Sequence, residues 1–478
     1  MTTRKSYDRV TREDLVLFIN ACFVCTGQKE FYGDSIGQNV SIAFLHEYVL
    51  GNYRSLYAHA LASGINHFNQ SLIIVNLLAT GKQATSEQRT EEGKLIATAL
   101  RKLPPQRALA TLQRLVKRRV NNRRTRATIR DYLSSRKDPN FDAIKYRKRV
   151  REVVRHSHLK ITDERGTLFF TKLNKVKQFQ VPLFESFRQA HYAQEAIYRL
   201  PFTVAEGFAK KHKIPRDRFL KKIEPKMTMQ EKLRLQSSAA KSGKSVPEID
   251  LAQVSITRLC LYLLSLKHSE REEKRAKFME AIEGSVTRTL NSSSKNLGRV
   301  ATVLDRSYSS SGSSEKQRRP LALAWACGRL LQSMAAEYQA FWTLPVEDEL
   351  MLSAKGQTDL ATAMLAALKW KPDLVVIVSD GYENDPPGAL SELLRVYWEK
   401  LDPKQETTVI HVNPVFNAEN YIPHTVSPLV NTVGIRDAED LVTMLEFARF
   451  AEGSTPLSEL EDYLSARVRS FLKSTQRS

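Results

Sequence analysis

Along roughly the first 285 residues, apolar positions return every three or four residues, the period of an amphipathic helix. Phe18, Ala21, Cys22 and Cys25 fall on one face of such a helix, and Leu61, Ile65, Phe68, Leu72 and Val75 on one face of another. Gly27, Gly64, Gly81, Pro104-Pro105 and Pro139 break the pattern into segments of roughly 12–20 residues. Strand-like alternation is scarce. Stacked helix pairs of the HEAT kind give this texture, although no clean repeat period is visible. Over 287–296 the text becomes TRTLNSSSKN, a polar connector. Beyond it the rhythm changes. Residues 299–304 read as a strand, 320–338 as an amphipathic helix, 337–344 as a second strand and 358–369 as another helix. DLVVIVS at 373–379 and TTVIHV at 407–412 read as further strands, the first of the unbroken apolar kind buried inside parallel sheets. Strands alternating with helices predict an open, mostly parallel sheet. The expected organisation is a mainly α-helical repeat domain over 8–296 and an α/β, Rossmann-like domain over 297–478.

Charge sharpens this division. The chain of 478 residues carries a net charge of +21, yet residues 301–478 hold 17 basic and 24 acidic side chains. The remaining 56 basic and 28 acidic residues lie in 1–300, and 101–160 alone contains 20 basic and 4 acidic. Such a sign reversal implies separate tasks, with a polyanion as the partner of the basic part. The densest text runs over 113–130, followed by Lys145-Tyr146-Arg147-Lys148-Arg149 and Arg155-His156-Ser157-His158-Leu159-Lys160. Placed on a helix, Arg119, Arg123 and Arg126 share one stripe, which suits salt-dependent attraction to nucleic-acid phosphates. Arg118 joins them as a candidate. A solvated helix face is the competing reading.

Four cysteines give no disulfide framework, no apolar run approaches the ~18 residues of a membrane span, and MTTRKSYDRVTRED lacks the apolar core of a secretory signal. A cytoplasmic monomer is expected.

Three oxygen-bearing clusters follow strand ends in the α/β part: Asp305-Arg306-Ser307-Tyr308-Ser309, Gly356-Gln357-Thr358-Asp359 and Ser379-Asp380-Gly381. Loops at the carboxyl ends of parallel strands converge on one sheet edge. Two carboxylates and three hydroxyls there suit Mg²⁺. The alternative is that these residues cap helices. Order and spacing resemble the metal-ion-dependent adhesion site of von Willebrand A domains. The resemblance implies Asp305, Ser307, Ser309, Thr358 and Asp380 as ligands, direct or through water. Arg306 inside the first cluster would lower metal affinity.

K-Y-R-K-R followed by R-H-S-H-L-K, the R-x-x-R-x-x-I-x-D pattern of Arg123, Arg126, Ile129 and Asp131, and the later G-Q-T-D and V-S-D-G are similar to motifs of the TROVE-domain, Ro-like family. The resemblance spans nearly the whole chain and implies a ring of HEAT-like repeats closed by an A domain. It implies binding of Y RNA-like small RNAs and of single-stranded 3′ ends of misfolded RNA, with an exoribonuclease as a possible partner. Carried over by position, the RNA-binding candidates are Arg123, Arg126, Lys145, Arg147, Arg149, Arg155, His158 and Lys160. The family has more residues between the two basic motifs than the 150–154 stretch here, which puts contacts from that stretch in doubt.

Other signals are set aside. Cys22-x-x-Cys25 lies in an apolar helix without a second pair and reads as core. Lys241-Ser242-Gly243-Lys244-Ser245 has Ser238 where a phosphate loop needs glycine. His156 and His158, two apart on a helix, point away from each other. The aromatic and basic stretch 202–220 is equally a base-stacking surface and ordinary amphipathic packing. No nucleophile–base pair with a family signature is evident, so an enzyme is not expected. The leading expectation is an RNA-quality-control scaffold. The main rival is a protein-interaction adaptor, for instance for an AAA+ ATPase, and a weaker one is a metal-dependent hydrolase.

Overall fold

The computed structural model describes residues 2–239, 250–290, 297–448, 450 and 455–474. The Lys241–Ser245 motif and residues 291–296 of the polar connector lie outside these. Residues 287–290 of that connector instead form the last turn of the helix Arg275–Leu290.

Helices follow one another as the periodicity requires: α1 (Thr2–Val24), α2 (Ser35–Asn52), α3 (Arg54–His59), α4 (His67–Ala79), α5 (Ser86–Lys102), α6 (Pro105–Lys117), α7 (Arg123–Ser134), α8 (Pro139–Lys145) and α9 (Arg147–His156). Local chemistry fixes their ends. Thr85 and Gln88 make a reciprocal capping box at α5. Asp34 caps α2 and Asn122 caps α7, and proline opens α6 and α8, where its missing N–H costs nothing. Further helices continue to Leu290, and among the described residues no strand precedes Arg299. None of the described helices is long and apolar enough to cross a membrane.

Beyond that point the chain is α/β. Five strands, β1 (Arg299–Leu304), β2 (Glu337–Trp342), β3 (Leu374–Val378), β4 (Thr408–Asn413) and β7 (Asn431–Gly434), form one parallel sheet in the order β2-β1-β3-β4-β7. A two-stranded antiparallel pair, β5 (Phe416–Asn417) and β6 (Ile422–Pro423), lies between the last two in sequence. In β1 and β3 every residue but the first is buried, as expected of strands covered on both faces. Ala301, Val303, Val375 and Ile377 pack with Leu360 and Met364 of the helix Leu360–Lys369 and with Leu390 and Leu394 of the helix Ala389–Lys400. The helix Arg319–Met334, with Trp325 buried, packs against β1 and β2 and against the helix Ile256–Ser265. The helix Ala389–Lys400, β7 and the helices Leu441–Ala448 and Leu457–Lys473 are additions to what the pattern of residues had suggested.

The compact units do not follow a boundary near residue 297. One comprises 1–69 with 250–468, the other 70–249 with 469–478. Packing explains the first. Asn20 of α1 accepts a hydrogen bond from Gly434 N–H of β7 (3.1 Å), and Gln38 of α2 donates to the Phe416 carbonyl (2.8 Å). The helices at both ends of the helical stretch are therefore built onto the α/β layer.

Candidate functional site

In the first unit, β1 lies between β2 and β3, so the connections leaving β1 and β3 diverge. This is the switch point where open α/β sheets hold ligands. Asp305 follows β1 directly and Ser379-Asp380 follow β3, whose last residue pairs with Leu304. The Asp305 N–H donates to the Val378 carbonyl (3.0 Å), which fixes the two loops side by side. Tyr308 N–H donates to Gly356 O (2.9 Å) and ties in the middle loop. Thr358 N–H donates to Asn384 Oδ1 (2.9 Å), tying that loop to the third. All five residues singled out as ligands are buried. Ser307 and Ser309 hydroxyls stand 3.1 Å apart.

None of these five side chains caps a helix. Asp359, their neighbour, does so for Leu360–Lys369 (2.9 Å to Thr362 N–H). Asp305 Oδ1 accepts from Ser307 N–H (2.8 Å) and Asp380 Oδ1 from Tyr382 N–H (3.1 Å). Asp380 Oδ2 is buried without a hydrogen-bond partner, an expensive condition for a carboxylate. Burial and the nearby Asp380 carboxylate push Asp305 up to about 7, against opposing hydrogen bonds from Ser307 and Thr343. Burial also raises Asp380, with Ser309 opposing. Among the described residues no three His, Cys, Asp or Glu side chains form a metal cluster. Two crowded carboxylates with three hydroxyls are instead a donor set that fits a hard divalent cation. Arg306 does not face this set. Its guanidinium is held by the carbonyls of Pro345 (2.9 Å) and Ser353 (3.3 Å).

Further features surround this donor set. Tyr32, between α1 and α2, lies beside Ser309 and Asp380; burial and then the Asp380 carboxylate raise its phenol. Its ring contacts Tyr382 (4.4 Å between centroids), which stacks on His424 (4.4 Å, 22°). Glu30 and Lys316 form a buried ion pair that anchors the Tyr32 loop, and Ser313 Oγ donates to Lys29 O (2.6 Å). Behind the third loop, Asn413 Nδ2 donates to the carbonyls of Asp380 (2.9 Å) and His424 (2.8 Å). Gly381 sits there at φ +85°, and a Cβ would lie 2.5 Å from His424 O.

The second unit gathers the basic residues. The helix expected to carry Arg119, Arg123 and Arg126 is interrupted: α6 stops at Lys117 and α7 starts at Arg123. Arg119 therefore sits in the turn, at φ +55°, and the single stripe does not form. Another arrangement replaces it. The turn docks on the end of α9, with His156 Nε2 2.9 Å from Val120 O and Asn121 Nδ2 donating to His156 O (2.7 Å). Exposed Arg119 and Arg123 are thereby brought to the α9 terminus, which presents exposed Arg155, His158 and Lys160. Arg118 is exposed and donates to Asn76 Oδ1 (2.7 Å). Arg126 lies one turn along α7, exposed. Arg155 lies 6.0 Å from the centre of the half-exposed Phe170 ring. His156 packs inward, so the two histidines do separate.

Besides Arg118, three candidates have partners inside the protein. Lys145 pairs with Glu231 (3.2 Å), Arg147 donates to Leu168 O (3.0 Å) and lies over Phe187, and Arg149 donates to Gln106 O (3.1 Å). Burial lowers the Arg147 pKa.

A crystal structure of the Deinococcus radiodurans Ro (RSR) protein matches this chain with a TM-score of 0.49 at 16% identity, over 85% of this chain and 93% of that one. No protein-family model and no curated protein matches the chain. The functional reading therefore rests on the chain's own residues.

All four cysteines are buried and free. Cys25 Sγ donates to Gln38 Oε1 (3.5 Å), as a core thiol does.

Proposed function

We propose that the chain binds structured RNA through the basic end of its second unit, and that the oxygen-rich site of its first unit holds Mg²⁺ or a similar cation to recruit a protein. The observation that carries the RNA reading is the docking of the α6–α7 turn on the end of α9. It gathers Arg119, Arg123, Arg155, His158 and Lys160 beside an exposed aromatic ring. Cations track phosphates, and a ring such as Phe170 stacks an unpaired base. The partners in this reading are small Y RNA-like RNAs and single-stranded 3′ ends.

The test is binding of a hairpin RNA, with and without a 3′ single-stranded tail, across a salt series. Affinity that depends on the tail is expected, with a log–log slope of about −0.7 per phosphate contact. Arg119→Ala with Arg123→Ala should flatten that slope by about 1.4. Binding indifferent to the tail and to both substitutions would overturn the proposal.

A second reading, that of a protein-interaction adaptor, is favoured by the unpartnered Asp380 Oδ2. With only two carboxylates among neutral hydroxyls, a bound cation would keep its attraction for a partner's carboxylate, an exoribonuclease or an AAA+ ATPase being partners of that kind. Calorimetric titration with Mg²⁺ tests it, with heat expected from the parent chain and none from Asp380→Asn.

A further inference from the structure

Among the described residues fourteen large apolar side chains are exposed, and several of them lie together. On α2, Ile36 is 75% exposed, Val40 65%, Phe44 53% and Tyr48 38%. They recur every fourth residue and so form one ridge along the helix, about 18 Å from first to last at 1.5 Å per residue. The inner face of α2, with Gln38, Ser41, Ile42, Leu45 and Val49, is buried, so the ridge is a second apolar face rather than the packing face. Phe44 and Tyr48 stack at 6.2 Å, and Tyr421 flanks Phe44 at 5.4 Å.

The start of α2 follows closely on a residue that borders the oxygen-rich site. Tyr32, itself 51% exposed, lies beside Ser309 and precedes the start of α2 by three residues. Phe31 extends the same surface to Tyr308 (6.2 Å). The Ile36 end of the ridge is thus the end near the metal ligands.

We infer that α2 and the metal site form one composite docking surface for an amphipathic helix of a partner protein, whose terminal Asp or Glu reaches the cation while its apolar face lies along the ridge. This rests on the cation reading of the site. Charge complementarity selects the occupant: the site's own two carboxylates serve as ligands, and the cation calls for a third from outside. Ridge spacing selects the shape, since rows of side chains four apart seat in the groove of another helix. A contiguous apolar patch of this kind is uncommon on the free surface of a monomer.

A displayed library of helix-forming peptides of about five turns, selected on the full chain in Mg²⁺ and released by EDTA, tests the inference. Enriched peptides should carry an acidic residue at one end and apolar residues three and four apart. Their affinity should fall about tenfold or more with Val40→Asp or Phe44→Lys, as for central contact residues. Both positions are exposed, and circular dichroism would verify that the fold is retained. Lack of enrichment, peptides without an acid, or binding indifferent to both substitutions would overturn the inference. If Mg²⁺ titration still gives heat in that case, the cation reading survives on its own. Absence of Mg²⁺ heat overturns both. A concentration-dependent dimer abolished by Val40→Asp would assign the ridge to a second copy of the chain and overturn the partner.

Discussion

Lys316→Met should destabilise the first unit by about 3–5 kcal/mol at neutral pH, because it leaves a carboxylate buried without its cation. Both side chains of the Glu30–Lys316 pair are over nine-tenths buried. Glu30 already sits above the usual carboxylate range: burial raises it and Lys316 holds it down. Removing the ammonium leaves only the more weakly acting Arg319 to oppose the burial effect. A Glu whose folded pKa lies above its unfolded value binds its proton more tightly when folded. The deficit of the variant should thus be small below about pH 4.5 and grow as pH rises. The double variant Glu30→Leu with Lys316→Met, which removes both charges, should recover most of the loss. The assay is urea unfolding followed by tryptophan fluorescence. All four tryptophans, Trp325, Trp342, Trp370 and Trp398, belong to the first unit, so the signal reports that unit and avoids the two-state problem of a multi-unit chain. A loss under about 1 kcal/mol, or a double variant no better than the single one, would refute the idea that this pair is desolvated.

Three further outcomes are expected. Arg147→Ala should lower the stability of the second unit by about 1–3 kcal/mol, from a lost hydrogen bond to Leu168 and a lost contact with Phe187, without altering the salt slope of RNA binding; a changed slope would return Arg147 to the interface. Gly381→Ala should cost about 1–3 kcal/mol, because a Cβ meets His424 O, and should also suppress Mg²⁺ heat in calorimetry. His411 is buried with its pKa lowered to about 3, so the unfolded state takes up the proton first. Its contribution to stability is complete above about pH 6.5 and falls by up to about 1.4 kcal/mol per pH unit below that. The stability difference between the parent and His411→Asn in urea melts at pH 7 and pH 5 should show this, and a pH-independent difference would contradict it.

The oxygen-rich site was legible because its chemistry is local. Asp305, Ser307 and Ser309 sit within five residues, and strand ends announce where the three clusters must meet. Its surroundings were not. Glu30 finds Lys316 across 286 residues, and nothing in F-Y-G-D marks Tyr32 as a neighbour of Ser309. The basic candidates show a different shortfall. A sequence displays charge but not partners, so Lys145, Arg147 and Arg149 read like Arg123 although each is tied to other parts of the protein. The break between α6 and α7 is marked in the sequence only by Asn121-Asn122, good capping residues, inside a run of arginines whose spacing also suits an unbroken stripe. The unit boundary was hidden for the same reason as Tyr32, since helical periodicity says that a face is covered and not by what.

The discontinuity of the first unit bears on how the protein is made. Its opening 69 residues cannot complete their core until β5, β6 and β7, ending at Gly434, have been synthesised. At about 5–20 residues per second the stretch from residue 70 to 434 takes roughly 18–70 s to emerge. Through that interval the part of α1 that ends up against β6 and β7 has nothing to cover it. The newborn chain is therefore a natural client for a holding chaperone, and slowing translation anywhere within 70–434 should cost yield more than slowing it after residue 434.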